Sequence, residues 1–260
     1  MKSSSPSRTQ AERAAKTRRR ILAAAVREFS RSGLAGARTE QIAQAAGVNK
    51  ALLYYYYRSK EDLYAASMDA VFERLWSDFQ EMMLMPVSAG ERILRAVLQN
   101  FDRMLTHTAL HGMMQQEMVR MHKGEEHRMN QVAERFMRPI WVRYEEVIEE
   151  GIKAGEIIRV NPAMVRYSSI GSTFFYFLSA PVTGLAFGTN PLERQALEEQ
   201  RKMLAEYVGQ ALFMDRERGA QLAQAVLAST PMPEKINMRK HDHVMQMMQN
   251  AKPKSKKSEA

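Results

Sequence analysis

Side chains that can bind phosphates or base edges occur in a short segment between residues 39 and 60. They are Thr39, Gln41, Asn49, Lys50, Ala51, Tyr54, Tyr55, Tyr56 and Lys60. A lysine ammonium hydrogen-bonds guanine, an alanine methyl contacts the methyl group of thymine, and phenol hydroxyls donate to phosphate oxygens. Lys60 also starts a predicted helix, where backbone N–H groups attract phosphate. These residue types predict an interface with double-stranded DNA.

Two short helices joined by a glycine turn are predicted to position these side chains. Thr39 suits the N-cap of the first helix, because its hydroxyl can accept a bond from a free backbone N–H. Ile42, Ala45 and Ala46 recur at helical spacing and predict one small apolar face. Gly47 follows the last of them, where a left-handed residue ends a helix at little steric cost. The first helix is therefore predicted to end at this glycine.

The second helix is predicted to run from residue 50 to about residue 56. Asn49 suits its N-cap, and Leu53 suits its buried anchor. Ser59 and Asp62 have the spacing of a capping box, which predicts the start of a third helix. This layout is that of a helix-turn-helix, whose second helix enters the DNA major groove. The alternative is an ordinary helical hairpin.

The positive charge of the chain is concentrated on this segment. Residues 1–60 carry 13 Lys and Arg against 3 Asp and Glu, whereas residues 61–228 carry 18 against 23. A basic run precedes the helix pair and consists of Arg13, Lys16, Arg18, Arg19 and Arg20. This run is either a solvated helix face or a contact with phosphates or the minor groove. The distribution of charge favours DNA binding over a plain hairpin, since phosphates must be neutralised.

The segment from about Thr17 to Leu63 resembles the DNA-binding domain of the TetR family of bacterial transcriptional regulators. It begins with R-R-R-I-L-A-A-A-V-R-E-F and continues with A-G-V-N-K-A-L-L-Y-Y-Y-Y and S-K-E-D-L. The family usually shows A-G-V-S-x-G-x-L-Y-x-Y/H-F and S-K-E-x-L. Asn49 replaces the serine, Ala51 the glycine and Tyr57 the phenylalanine. The methyl group of Ala51 at the start of the recognition helix implies an altered base preference.

The resemblance implies an all-α homodimer that responds to a small-molecule inducer. In the family, residues matching Tyr54, Tyr56 and Lys60 commonly hold the DNA backbone. Two long helices predicted at 162–187 and 192–213 correspond to the pair that forms a four-helix interface with a second copy. The remaining helices imply a cavity that senses small molecules.

Several classes of protein are disfavoured by what the 260 residues lack. There is no cysteine, so disulfides, thiolate zinc sites and cysteine nucleophiles are excluded. The sequence contains neither a G-x-S-x-G motif nor a P-loop, and an enzyme is not expected. The N-terminal segment is polar and basic, which predicts a cytoplasmic protein. Residues 167–192 carry no charge but contain Ser, Thr, Pro and Asn, so a buried helix is predicted rather than a membrane span.

Four segments are predicted along the chain. Residues 1–8 are expected to be disordered, and residues 9–63 to form the helix-turn-helix domain. Residues 64–228 are expected to form a larger helical domain for ligand sensing and dimerisation. Residues 229–260 have the composition of a flexible basic tail.

Apolar and aromatic residues of the helical domain are candidates for the ligand pocket. They are Met104, His107, His111, Met118, Phe136, Trp141, Tyr144, Phe174 and Phe175. A packed core is the alternative for each of them. A third interpretation takes His107 to Met121 as one helical face, where imidazole and thioether groups could bind a soft metal or haem. No cofactor is predicted.

The sequence thus predicts a ligand-responsive transcriptional regulator, namely a repressor that a small apolar or aromatic inducer releases from a palindromic operator. Two alternatives stay open. One is a constitutive DNA-binding or architectural protein without an inducer, and the other is a regulator that responds to a soft metal or haem.

Overall fold

The computed structural model describes residues 8–125, 128–234 and 236, which form an all-α protein as predicted. The helices are α1 (Arg8–Gly36), α2 (Thr39–Ala46), α3 (Lys50–Tyr56), α4 (Lys60–Met83), α5 (Ala89–Thr106), α6 (Thr108–His122), α7 (Met129–Val132), a π-helical turn (Ala133–Met137), α8 (Arg138–Lys153), α9 (Pro162–Phe187), α10 (Arg194–Leu212) and α11 (Arg216–Ser229). Within these residues, extended pairing is limited to one bridge between Ile157 and Phe213. The segments predicted to be disordered lie largely outside the described residues, although Arg8 already belongs to α1.

The chain divides into two compact units. The first contains the described residues up to Asp78 together with Ala109–Pro139, and the second contains Phe79–Thr108 and the described residues from Ile140 onward. The division does not follow the boundary predicted at residue 63, which stays a prediction.

The first unit is built around α1, whose apolar side packs against α2. Ile21 and Phe29 of α1 are fully buried, as are Ile42 of α2 and Leu53 of α3. The sequence predicts that α1 ends at Gly33, but the helix continues to Gly36 after a kink. Gly33 makes the kink with φ 66°, a left-handed value that other residues rarely adopt.

A buried carboxylate joins α4 and α6 within the first unit. Glu117 is fully buried, and its Oε1 accepts a bond from the Tyr64 hydroxyl at 2.8 Å. The same oxygen is 2.9 Å from a guanidinium nitrogen of Arg120, and Oε2 accepts the backbone N–H of Arg128 at 2.7 Å. Burial raises the pKa of Tyr64, so its hydroxyl remains protonated and serves as the donor. Three donors therefore compensate for the loss of water around this carboxylate.

Pro139 is the second residue of α8 and therefore lies in its first turn, which is one of the two positions that the sequence predicts for it; the other is a kink after Arg138. Just before it, the backbone N–H of Arg138 bonds the carbonyl of Ala133, five residues earlier, in a wide π-helical turn. Proline has no N–H to donate to Arg135, four residues before it. The wide turn lets the helical path run past this missing bond.

The second unit packs α10 closely against α11. Gly209 and Gly219 meet at the contact, and a Cβ on Gly209 would lie 2.5 Å from the carbonyl oxygen of Gly219. Arg201 of α10 is almost fully buried and binds both carboxylate oxygens of Asp102 at 2.8 and 2.9 Å. Its Nη2 also donates to the carbonyl of Thr230 at 2.8 Å, which holds the chain just after α11.

The prediction that α9 is a buried helix is wrong, because it exposes most of its large apolar side chains. Those that are 37 to 76% exposed are Met164, Tyr167, Ile170, Phe174, Phe175, Leu178, Val182, Leu185 and Phe187. By length and composition alone α9 could cross a membrane. An apolar surface of this size marks a site of contact with another molecule. Composition alone could not distinguish it from a core helix, because both are rich in apolar residues.

Candidate nucleic-acid interface

The turn between α2 and α3 has the predicted local geometry. Gly47 adopts a left-handed conformation with φ 63°, and Leu53 is fully buried. The side chain of Asn49 accepts the backbone N–H of Leu52 at 2.7 Å and so caps α3. Ser59 accepts the backbone N–H of Asp62 at 3.0 Å at the start of α4. These caps fix the direction in which α3 leaves the turn.

Two details of α2 differ from the prediction. Thr39 is the first residue of α2 rather than its N-cap, a position taken by Arg38 without a side-chain cap bond. The Thr39 side chain is buried and lies 3.3 Å from the Tyr54 hydroxyl, so it links α2 to α3. Ala45 is exposed, and Ala43 takes its place on the buried face. Helical spacing of apolar residues allows neighbouring positions at the edge of an apolar face. It therefore could not decide which of Ala43 and Ala45 is buried.

The first turn of α3 and its neighbours form an exposed surface, which we call the recognition surface. Its exposed members are Gln41, Asn49, Lys50, Ala51 and Tyr55, and its half-buried members are Tyr54, Tyr56 and Lys60. Tyr55 is 80% exposed, and its ring meets that of Tyr56 edge to face at 5.4 Å. Every predicted DNA-contacting residue except Thr39 is therefore at least partly accessible.

Two lysines of the recognition surface have partners within the chain that the sequence did not reveal. The ammonium of Lys50 forms an ion pair with the carboxylate of Glu40 in α2. This pair lowers the pKa of Glu40 and raises that of Lys50 through their hydrogen bond. Lys60 Nζ donates to the carbonyl of Ala35 at 3.2 Å, which ties the start of α4 to the end of α1. Lys60 thus has a structural contact in addition to its predicted phosphate contact.

Arg20 is a structural residue that sequence reasoning grouped with the basic run. Its guanidinium donates to the carbonyls of Ala46 and, at 3.3 Å, of Gly47. It therefore satisfies free carbonyls at the C-terminal end of α2. Because 26 and 27 residues separate the partners, the one-dimensional pattern contains no signal for this contact.

The predicted pocket residues are divided between the two units. His111, Met118 and Phe136 belong to the first, and Met104, His107, Trp141, Tyr144, Phe174 and Phe175 to the second. Phe136 is buried and stacks on Phe72, with ring centres 5.7 Å apart. Tyr144 is buried as well, and burial raises its pKa to about 12. Phe174 and Phe175 instead belong to the exposed face of α9.

The single helical face predicted for His107 to Met121 does not form. His107 lies just after α5, and α6 begins at Thr108, so His107 is not on the same helix as Met121. Among residues 8–125, 128–234 and 236 there is no group of three His, Asp or Glu side chains that could hold a metal. A groove of about 240 Å³ opens between α9 and α10, and none of the predicted pocket residues line it. Its walls include Ser168, Ser172 and Tyr207.

Comparison with known families identifies both parts of the chain. Residues 21–67 match the model described as bacterial regulatory proteins of the tetR family. Residues 90–208 match the tetracyclin repressor-like C-terminal domain, and the two segments together span more than half of the chain. The chain belongs to the TetR family. It is a DNA-binding transcriptional regulator rather than an enzyme.

The chain is also similar to individual proteins, to one by sequence and to two by structure. The HTH-type transcriptional repressor SCO4008 of Streptomyces coelicolor is 49% identical over 53 residues, which are 20% of this chain and 28% of that repressor. The chain thus matches little more than a quarter of that relative. A gamma-butyrolactone receptor structure covers 84% of this chain and 100% of its own, with TM-score 0.56 and 16% identity. The structure of the ketosteroid transcriptional regulator KstR2 of Mycobacterium tuberculosis covers 76% of this chain and 96% of its own, with TM-score 0.55 and 19% identity. These two structures support the fold alone.

One departure from the TetR motif leads to a stability prediction. Tyr57 stands where the family usually has phenylalanine, and its buried hydroxyl has no hydrogen-bond partner within the part of the chain that the structure describes. We expect Tyr57→Phe to raise the free energy of unfolding by about 1 kcal/mol, because it removes an unsatisfied buried polar group. Urea unfolding followed by circular dichroism measures the change. Tyr56→Phe is the matched control, since Tyr56 is half-buried, and an equal gain in both variants would contradict the explanation.

Proposed function

We propose that this TetR family protein is a cytoplasmic repressor that binds a palindromic operator as a homodimer and is released by a small apolar or aromatic ligand. The observation that carries the proposal is the recognition surface, where the first turn of α3 exposes Lys50 and Ala51. This surface belongs to a segment with 13 basic and 3 acidic residues, as a DNA-binding face requires. Repression is inferred from the relative SCO4008, which is named a transcriptional repressor.

The exposed face of α9 supports the homodimer. A second copy can cover it symmetrically, since a twofold interface uses the same surface on both partners. A bilayer is a poor alternative occupant, because α10 beside α9 carries exposed ion pairs between Arg194 and Glu198 and between Lys202 and Glu206. Two recognition helices related by a twofold axis read half-sites about 34–36 Å apart, or a multiple of this. The operator is therefore proposed to be palindromic.

A ligand-sensing role is supported by the second domain and by the names of similar structures. The C-terminal match is to a tetracyclin repressor-like domain, and the two structural neighbours are named for a gamma-butyrolactone and a ketosteroid. Both names describe compounds with few charges. The candidate wall residues Met104, Trp141 and Tyr144 suit such a ligand. A constitutive DNA-binding protein without an inducer is the competing function.

DNA binding is tested with a site selected from a library of randomised duplexes by the wild-type protein. We expect Tyr56→Phe to weaken binding to every sequence by roughly 10-fold, since it removes a hydrogen bond to a charged phosphate. Lys50→Ala should instead change the preferred base at one position of each half-site. Gel-shift titrations measure both effects. Failure of the wild-type protein to select any site would refute the proposal.

The complex of the protein with its selected DNA site also serves to test the proposed ligand response. Hydrophobic and aromatic compounds are added to the protein bound to its selected site, and release is followed by fluorescence anisotropy. A coupling of about 1–3 kcal/mol corresponds to roughly 5- to 150-fold weaker binding. Release by metal ions or haem alone would favour the alternative regulator. If no compound among a broad set releases the DNA, the constitutive alternative is favoured.

A further inference from the structure

Glu40 is an acidic residue in a surface that otherwise suits phosphate. Between residues 29 and 60 it is the sole Asp or Glu of the sequence. It lies in the first turn of α2, and its carboxylate pairs with the ammonium of Lys50 at the start of α3. The two side chains are 62 and 53% exposed, so packing does not hold them together. The ammonium also lies 5.9 Å from the ring centre of Tyr54.

The pair contributes little to folding, because solvent screens exposed ion pairs. Its effect falls instead on DNA binding. A carboxylate near the backbone repels phosphate, and it also competes with DNA for the Lys50 ammonium. Without Glu40, that ammonium is available to neutralise any nearby phosphate, whatever the base sequence. With Glu40, Lys50 engages DNA only where an acceptor such as guanine O6 or N7 outcompetes the carboxylate.

We propose that Glu40 is a specificity-determining residue of the DNA interface, which suppresses sequence-independent contacts of Lys50 and so makes that contact depend on the base. The inference rests on the proposed function, since it requires Lys50 to face the operator. Specificity is a difference between two affinities, and it increases when the competing complex is weakened. Glu40 weakens the complex with unrelated DNA more than the complex with the preferred site.

The test compares Glu40→Gln with the wild-type protein on two probes. One is the duplex that the wild-type protein selects. The other is an unrelated duplex of roughly 30 base pairs, which is about three helical turns. We expect Glu40→Gln to bind the unrelated duplex roughly 2- to 5-fold more tightly for each protomer, and the selected duplex with a smaller gain. The salt dependence on unrelated DNA should steepen by about one unit for each protomer. The ratio of the two affinities should therefore fall.

A double-mutant cycle separates the effect on Lys50 from the effect of charge alone. In the Lys50→Gln background, the loss of selectivity caused by Glu40→Gln should disappear, because there is no ammonium to release. Glu61→Gln is the matched control, since Glu61 is an exposed acid in the first turn of α4. Its effect should be the same in both backgrounds.

The possible failures are distinguishable. If the wild-type protein selects a site and Glu40→Gln leaves the affinity ratio unchanged, this inference is wrong and the proposed function stands. Equal gains from Glu40→Gln with and without Lys50 also overturn it, since they would show that the acid acts only through its own charge. If the wild-type protein binds no duplex selectively, the proposed function fails and this inference fails with it.

Discussion

Asp102→Ala is expected to lower the free energy of unfolding by about 3–5 kcal/mol, because it leaves the buried Arg201 without its counter-ion. The Arg201 side chain is only 4% exposed, and two of its nitrogens bind the two carboxylate oxygens of Asp102. The remaining bond to the Thr230 carbonyl cannot balance a full positive charge. A buried guanidinium without a partner must either recruit water or disrupt the packing between α5 and α10.

Urea unfolding measures this change, and two further variants show its cause. Asp102→Asn keeps the size of the side chain but removes the charge. Its free energy of unfolding should therefore lie between that of the wild-type protein and that of Asp102→Ala. Glu198→Ala removes the acid of an exposed pair with Arg194, in which both side chains are about half exposed. Such pairs contribute about 0–1 kcal/mol. If Asp102→Ala and Glu198→Ala lower the free energy of unfolding equally, the buried pair stabilises the fold no more than the exposed pair does.

Local sequence signals were sufficient for several helix boundaries, although not for the end of α1 or the N-cap of α2. Gly47 ends α2 and Asn49 caps α3, because both effects involve residues only a few positions apart. The long helix predicted at 162–187 is α9, with Asn161 capping its N-terminus and left-handed Gly188 at its end. The type and order of the elements could therefore be predicted. The same signals led to the helix-turn-helix and to the residues of its exposed surface.

Contacts between distant residues could not be predicted from the sequence. Arg20 caps α2 across 26 residues, Lys60 reaches Ala35 across 25, and Lys50 pairs with Glu40 on a different helix. A charged side chain has the same pattern in sequence whether it faces water, phosphate or a neighbouring helix. The π-helical turn at Ala133–Met137 was also not predicted, because such a turn depends on which carbonyl lacks a donor. The ligand pocket remains a prediction for the same reason.

The apolar face of α9 lies on a helix that the family resemblance assigns to the dimer interface, and it leads to the largest expected functional effect. Phe175, Leu178, Val182 and Leu185 follow one another at helical spacing and are 56 to 68% exposed. Burying a Phe side chain contributes about 1.5–3 kcal/mol, and a twofold interface contains each residue twice. Phe175→Glu should therefore weaken dimerisation by about 3–6 kcal/mol, which is roughly 10²- to 10⁴-fold. The added carboxylates increase the loss, since they must be desolvated in the interface.

Light scattering at micromolar concentration should detect a monomer for Phe175→Glu and a dimer for the wild-type protein. Affinity for the palindromic site should fall by at least about 100-fold, because one protomer reads only one half-site. Leu84→Glu is the matched control, since Leu84 is 74% exposed and lies just after α4 rather than on α9. It should remain dimeric and bind normally. Unchanged thermal unfolding of the DNA-binding helices would show that Phe175→Glu removes the partner and not the fold. A dimeric Phe175→Glu protein with full operator affinity would mean that the exposed face of α9 is not where the two copies meet.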